Sequence, residues 1–246
     1  DPDPHPSIDR LLRRLSAEEV LSVASALDPR RIPALILDRV AAEEPDIFAM
    51  NWRTAALCMD GVTDLRELET RLVPATDAVL AGAAEWWSRS RFTPAIGSLR
   101  TGYMLTRLRE NLEDEDGYVR WSAVLGLASM DAATALPPLT ARLPVEPWSA
   151  VQSAIVSALG KLRDRSAVGA LMAHHRRREG ATTHTDYREI GESLARLGAE
   201  EQLRQFLGAL PDESAADTVI GALPFVGSSL ADEILEVLTE HGTTIT

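Results

Sequence analysis

The sequence predicts an all-α protein, a right-handed α-solenoid of about seven helical hairpins, and three observations predict it. First, one phrase returns along the chain: Val119-Arg-Trp-Ser-Ala-Val-Leu-Gly-Leu-Ala-Ser-Met130 is echoed by Val151-Gln-Ser-Ala-Ile-Val-Ser-Ala-Leu-Gly-Lys-Leu162. Its apolar anchor recurs at Ala24, Met59, Leu99, Leu127, Leu159, Leu194 and Leu223, in steps of 35, 40, 28, 32, 35 and 29 residues. A period of this size is the signature of stacked helical pairs. Second, helix-start chemistry separates each phrase from a further amphipathic stretch. Third, no segment alternates apolar and polar residues for long enough to argue a strand.

Six of the seven anchors have apolar partners four residues before and three after them. The sets are Val20 and Leu27, Ala55 and Val62, Ala123 and Met130, Ile155 and Leu162, Ile190 and Leu197, and Val219 and Val226. That spacing lines one face of a helix, which becomes the first helix of each hairpin. The second helix is announced by caps. Asp164 and Ser166 precede Ala167–Leu171, Asp64 and Glu67 have capping-box spacing, and Ser229 precedes Leu230–Leu238. Pro33, Pro137 and Pro138 stand where a second helix is expected to begin, because proline lacks the amide hydrogen that positions beyond the first turn require.

The best-kept copies carry a resemblance. Asp116-Gly-Tyr-Val-Arg120 leading into Ala123 and Leu127, and Ala158-Leu-Gly-Lys-Leu-Arg-Asp-Arg-Ser-Ala-Val168, resemble HEAT repeats of the short bacterial type. The resemblance implies that an Asp and an Arg near the start of the first helix bond between neighbouring repeats. Arg53 and Arg188 stand in for Arg120 elsewhere, but Gln152 departs from the pattern.

At 246 residues, with 45% apolar and 25% charged residues, the composition is that of an ordinary globular chain. In a solenoid each repeat touches only its neighbours, so residues 1–246 read as a single repeat domain, with 1–7 as a flexible lead-in. The 40-residue step between Met59 and Leu99 leaves room for an extra helix over 74–90. Almost all of the basic charge is arginine and alanine is abundant, which points to a GC-rich bacterial genome. No apolar run is long enough to cross a membrane, and Asp1-Pro-Asp-Pro-His-Pro6 is not a signal peptide. A cytoplasmic location is the default expectation.

The net charge of −12 argues against nucleic acid as the partner, since phosphate contacts supply much of that affinity. Cys58, the sole cysteine, sits in an apolar phrase and is expected to be a core thiol, with no disulfide and no cysteine-based metal site. Trp86 and Trp87 are the paired aromatics of an aromatic-poor chain. Adjacent helical residues diverge by about 100°, so one of the two is expected at a groove or an interface. Trp52, Trp121 and Trp148 are expected to pack between repeats.

Near the ends of the second helices, Arg39, Arg71, Arg142 and His174 each follow an apolar anchor by three residues. They form a candidate basic stripe suited to an acidic or phosphorylated peptide, or else cations that offset helix dipoles. His174, His175 and Arg177 belong to the densest polar cluster, His174-His-Arg-Arg-Arg178, expected to be a solvated or anion-binding corner. Together with His184 and Asp186 this cluster invites a metal, but no ligand pair has i, i+4 spacing and the arginines oppose a dication. No metal and no cofactor are expected. The acidic run Glu110–Asp116 is expected to be solvated, with Asp116 capping the next helix.

No nucleophile elbow, phosphate-cradling glycine loop or kinase signature is present. The expected function is therefore a non-catalytic scaffold or adaptor that binds a protein or peptide on its concave face. The alternative is an enzyme on the same frame. One form resembles the HEAT-like DNA alkylation-repair glycosylases, with Asp77, Trp86 and Trp87 holding a lesion, and the other is a tailoring or lyase-type enzyme.

Overall fold

A computed structural model describes residues 21, 24, 27, 28, 31–41, 93, 94, 102–177, 184–209 and 220–240. All regular structure among the described residues is helical, as expected of the α-solenoid class. The chain divides into two compact units, residues 1–131 and 132–246.

In the first unit, α1 spans Arg31–Ala41 and begins as its sequence demands: Asp28 Oδ1 accepts the Arg31 N–H at 3.2 Å, and Pro33 occupies the first turn. Ile36 on α1 and Leu21 before it are fully buried. Helix α2, Gly102–Leu112, buries Met104, Leu108 and Leu112 and packs against α3, Gly117–Leu127. Between them Glu113–Asp116 are exposed, and Asp116 caps α3 by accepting the Tyr118 N–H at 2.9 Å. The two helices meet at Gly126, where a Cβ would lie 2.6 Å from Leu108 Cδ2 and 2.9 Å from the Thr93 carbonyl. Only hydrogen fits there.

The second unit contains α4, Ala132–Arg142; α5, Ser149–Lys161; α6, Val168–Arg177; α7, His184–Arg196; α8, Glu200–Leu207; and α9, Ser228–Glu240. Helix α4 corrects one expectation. It starts at Ala132, five residues before Pro137, so both prolines lie inside it. The helix therefore forgoes the two backbone hydrogen bonds that amides at 137 and 138 would make. Thr140 Oγ1 donates to the Leu136 and Pro137 carbonyls in this stretch, at 2.9 and 3.1 Å.

The period itself holds. Leu127, Leu159 and Leu194 are each 0% exposed, with Ala123 and Met130, Ile155, and Ile190 and Leu197 buried around them. The first helices α5 and α7 pack side by side. Ser153 Oγ donates to the Glu189 carboxylate, and the buried Ser193 hydroxyl donates to the Val156 carbonyl at 2.9 Å. Gly160 permits the approach: a Cβ there would lie 2.6 Å from Ser193 Oγ and 2.8 Å from its Cα.

The last anchor departs from the pattern. Leu223 is only partly buried and opens a 3-10 turn, Leu223–Phe225, rather than continuing a helix to Val226. Pro224 follows it and disfavours helical geometry at the residue before. Ala24 is likewise only partly buried, while Met59 and Leu99 lie outside the described residues, as does the whole of the expected helix over 74–90.

Candidate functional site

The turn between α4 and α5 is organised by one carboxylate. Glu146, whose side chain is fully buried, accepts Arg142 Nε at 2.9 Å through Oε2 and the Trp148 N–H at 2.9 Å through Oε1. Its carbonyl accepts Gln152 Nε2 at 2.5 Å. Trp148 is the N-cap of α5 and offers no capping oxygen, so the turn is tied by Glu146 instead. Arg142, 12% exposed, is thus part of the packing of this turn.

The matching residue one repeat earlier makes the same kind of bond. Buried Arg120 donates from Nη1 to the Asp114 and Glu115 carbonyls at 2.8 and 2.9 Å. Arg120 and Gln152 both reach the carbonyl six residues before them, and they stand 32 residues apart, like Leu127 and Leu159. Gln152 departs from the pattern in identity and keeps this bond.

Helix α6 runs through Arg177, so the polar cluster begins on a helix and not in a loop. His174 and His175 are 3% and 5% exposed, which corrects the reading of both as members of a solvated corner. The His175 ring meets Phe206 edge-on with centroids 4.9 Å apart, and Tyr187 at 6.2 Å. Arg176 and Arg177 are exposed. Of the proposed stripe, Arg142 and His174 are therefore packed rather than presented. Arg39 lies on α1 with its side chain outside the described residues, and Arg71 lies outside them altogether. So do Cys58, Trp52, Asp77, Trp86 and Trp87, and the side chains of His184 and Asp186; Trp121 and Trp148 are partly buried. No group of three or more His, Cys, Asp or Glu side chains among the described residues is placed to hold a metal ion.

Surface cations divide into two kinds. Arg107 pairs with Glu110 at 2.6 Å, Arg196 with Glu192 at 2.5 Å, and Arg204 with Glu233 at 2.7 Å. Arg196 also lies over the Phe225 ring, 4.2 Å from its centroid. The Arg204–Glu233 hydrogen bond holds the Glu233 carboxyl below its ordinary value and lifts Arg204 further. The second kind is exposed and has no side-chain ion pair or hydrogen bond among the described residues: Lys161, Arg163 and Arg165 at the α5–α6 turn, Arg176 and Arg177 at the end of α6, and Arg31, Arg109 and Arg188. Between the first three, Asp164 accepts the Ser166 hydroxyl at 2.7 Å and its N–H at 2.9 Å, and the hydroxyl bond above all keeps this carboxyl below its ordinary value.

Sequence reading singled out Arg177 on this hairpin and passed over Lys161, Arg163 and Arg165. A signal was present. Aligning Leu159 with Leu194 sets Arg163 against Gly198, and both are left-handed, with φ of 55° and 62°. Each donates its N–H to the carbonyl three residues before, Gly160 and Ala195 respectively, at 3.3 and 3.0 Å.

Two comparisons bear on kinship. No curated protein matches the chain significantly. A family model described as HEAT repeats matches it over residues 76–160 and again over 105–183, and the second match runs through the hairpins whose bonds are described above. With buried anchors at the expected period and with that match, the chain carries HEAT repeats between residues 76 and 183.

Proposed function

We propose that this chain is a non-catalytic scaffold or adaptor that binds another protein or a peptide. The observation that carries the reading is the HEAT-repeat match over 76–183, because such repeats commonly mediate protein interactions and offer extended surfaces assembled from successive hairpins. Packing in the described hairpins supports it, since several buried polar groups are committed to holding it: Arg120 to turn carbonyls, Glu146 to Arg142 and the Trp148 N–H, and Ser193 to the Val156 carbonyl. The reading takes residues 1–246 as one continuous stack. Its binding residues include Trp86 or Trp87 as an apolar anchor and Arg177 as an exposed cation, with acidic or phosphorylated groups on the partner. No helix among the described residues is long and apolar enough to cross a membrane, so the partner is sought without a membrane anchor.

The test is site-specific photo-crosslinking in cells. A photoreactive amino acid replaces Trp87 or Arg177, and a third variant carries it in place of the exposed Glu113 as a reference position. The reading expects one dominant protein adduct from the first two sites that is absent from the third. Equal, diffuse adducts from all three positions count against it, and turnover of a small molecule by the purified chain sinks the non-catalytic part.

A further inference from the structure

We propose that the α5–α6 turn is a docking point for an aspartate- and glutamate-rich segment of the partner protein, an inference that rests on the scaffold reading and gives its partner a chemistry. Lys161, Arg163 and Arg165 are exposed within five consecutive residues, and among the described residues none makes an ion pair or side-chain hydrogen bond. Arg107, Arg196 and Arg204 each hold a glutamate on the protein's own surface, whereas Arg31, Arg109, Arg176, Arg177 and Arg188 are, like the turn cations, exposed without a side-chain partner among the described residues. The one acid inside the cluster, Asp164, is committed to the Ser166 hydroxyl and N–H, where it caps the start of the next helix. The turn therefore presents more positive than negative charge in a chain whose net charge is −12.

Backbone conformation supplies the second, independent observation. Arg163 is the one non-glycine residue with positive φ among the described residues. A left-handed residue costs a side chain steric strain that glycine escapes, and the equivalent turn of the following repeat has Gly198 at that position. Folding of the turn favours glycine; an arginine held there against that preference points to use of its side chain. Arginine suits a carboxylate because its planar fork pairs with both oxygens.

Size decides between acidic partners. A long polyanion such as duplex DNA would extend over a surface of its own sign. A short acidic segment responds chiefly to charges within a screening length, about 8 Å at physiological ionic strength, and the turn itself carries three cations to one acid.

The experiment uses the full chain and a fluorescein-labelled octaglutamate peptide, followed by anisotropy, with short duplex DNA as a second probe. The peptide is expected to bind saturably and more weakly as salt rises. The triple variant Lys161→Glu, Arg163→Glu, Arg165→Glu should weaken it by about tenfold or more, the scale of three exposed ion pairs lost. The variant Arg31→Glu, Arg109→Glu, which reverses two exposed arginines outside the turn, should weaken it by less than about threefold. Arg163→Gly should raise the melting temperature yet weaken the peptide by about threefold, which separates use of the side chain from an accident of sequence. The proposal is overturned if wild type does not bind the peptide, if both charge reversals act equally, if Arg163→Gly leaves affinity unchanged, or if DNA binds more tightly than the peptide. None of these outcomes touches the crosslinks from positions 87 and 177, which judge the scaffold reading separately.

Discussion

Replacing Glu146 with alanine should damage this protein more than removing any surface carboxylate. The side chain is fully buried and accepts two hydrogen bonds, from Arg142 Nε and from the Trp148 N–H, both at 2.9 Å. Glu146→Ala takes this carboxylate from an Arg142 side chain only 12% exposed, and its acceptor from the part-buried Trp148 N–H. Breaking a buried pair from one side typically costs about 3–5 kcal/mol, most of it the burden of the abandoned charge. For a chain of this length each kcal/mol moves the melting temperature by about 2–4 °C, so the expected fall is about 6–20 °C. The reference is Glu110→Ala, which removes the exposed Arg107 pair and should cost no more than about 1 kcal/mol. Differential scanning fluorimetry and urea denaturation of both variants measure this directly. A partner experiment sharpens it: with Arg142→Met added, the double variant should recover part of the loss, because the stranded charge has gone. If Glu146→Ala melts within about 2 °C of the parent, or no lower than Glu110→Ala, the Glu146 hub does not hold the turn.

Three further outcomes follow from the packing and the caps. Gly160→Ala should destabilise by about 1–2 kcal/mol in urea denaturation, because overlap with the Ser193 backbone outweighs the better helix propensity of alanine; adding Ser193→Gly should relieve it only in part, since residue 193 keeps its backbone Cα, 2.8 Å from the added methyl. Phe206→Ala empties a fully buried site beside His175 and should cost about 3–5 kcal/mol by the same measure. Asp164 and Glu233 have carboxyls held below their ordinary values of 3.8 and 4.5, so their contribution is complete above those values and is lost as pH falls through the lowered ones. Asp164→Asn combined with Glu233→Gln should therefore flatten the acid side of the melting-temperature profile, and an unchanged acid side would refute the assignment.

What was legible in the sequence follows from how local each cause is. The anchors Leu127, Leu159 and Leu194 could be found because a 3.6-residue period is written in a single helix, and Asp116 and Asp164 because a cap acts within two residues. Pro137 and Pro138 misled because the preference of proline for a first turn is an energetic bias, which α4 overrides. His174 and His175 were placed at the surface by their arginine neighbours, whereas both are buried and His175 packs against Tyr187 and Phe206 from later helices. Glu146 left no mark because its partners sit in a turn without a recognisable motif. Trp86, Trp87 and Arg71 lie outside the described residues, so the structure leaves those expectations where the sequence put them.

The pair Arg120 and Gln152 has a bearing on how such chains diverge. In these two repeats the position supplies an N–H within reach of a carbonyl six residues earlier, and the two residues do so with different charges and different lengths. Selection for the bond therefore leaves the letter free to drift among nitrogen donors. A family profile trained on letters loses track of a repeat sooner than the geometry does. Relatives of this protein are better sought by the recurrence of a donor ahead of a buried leucine than by the arginine itself.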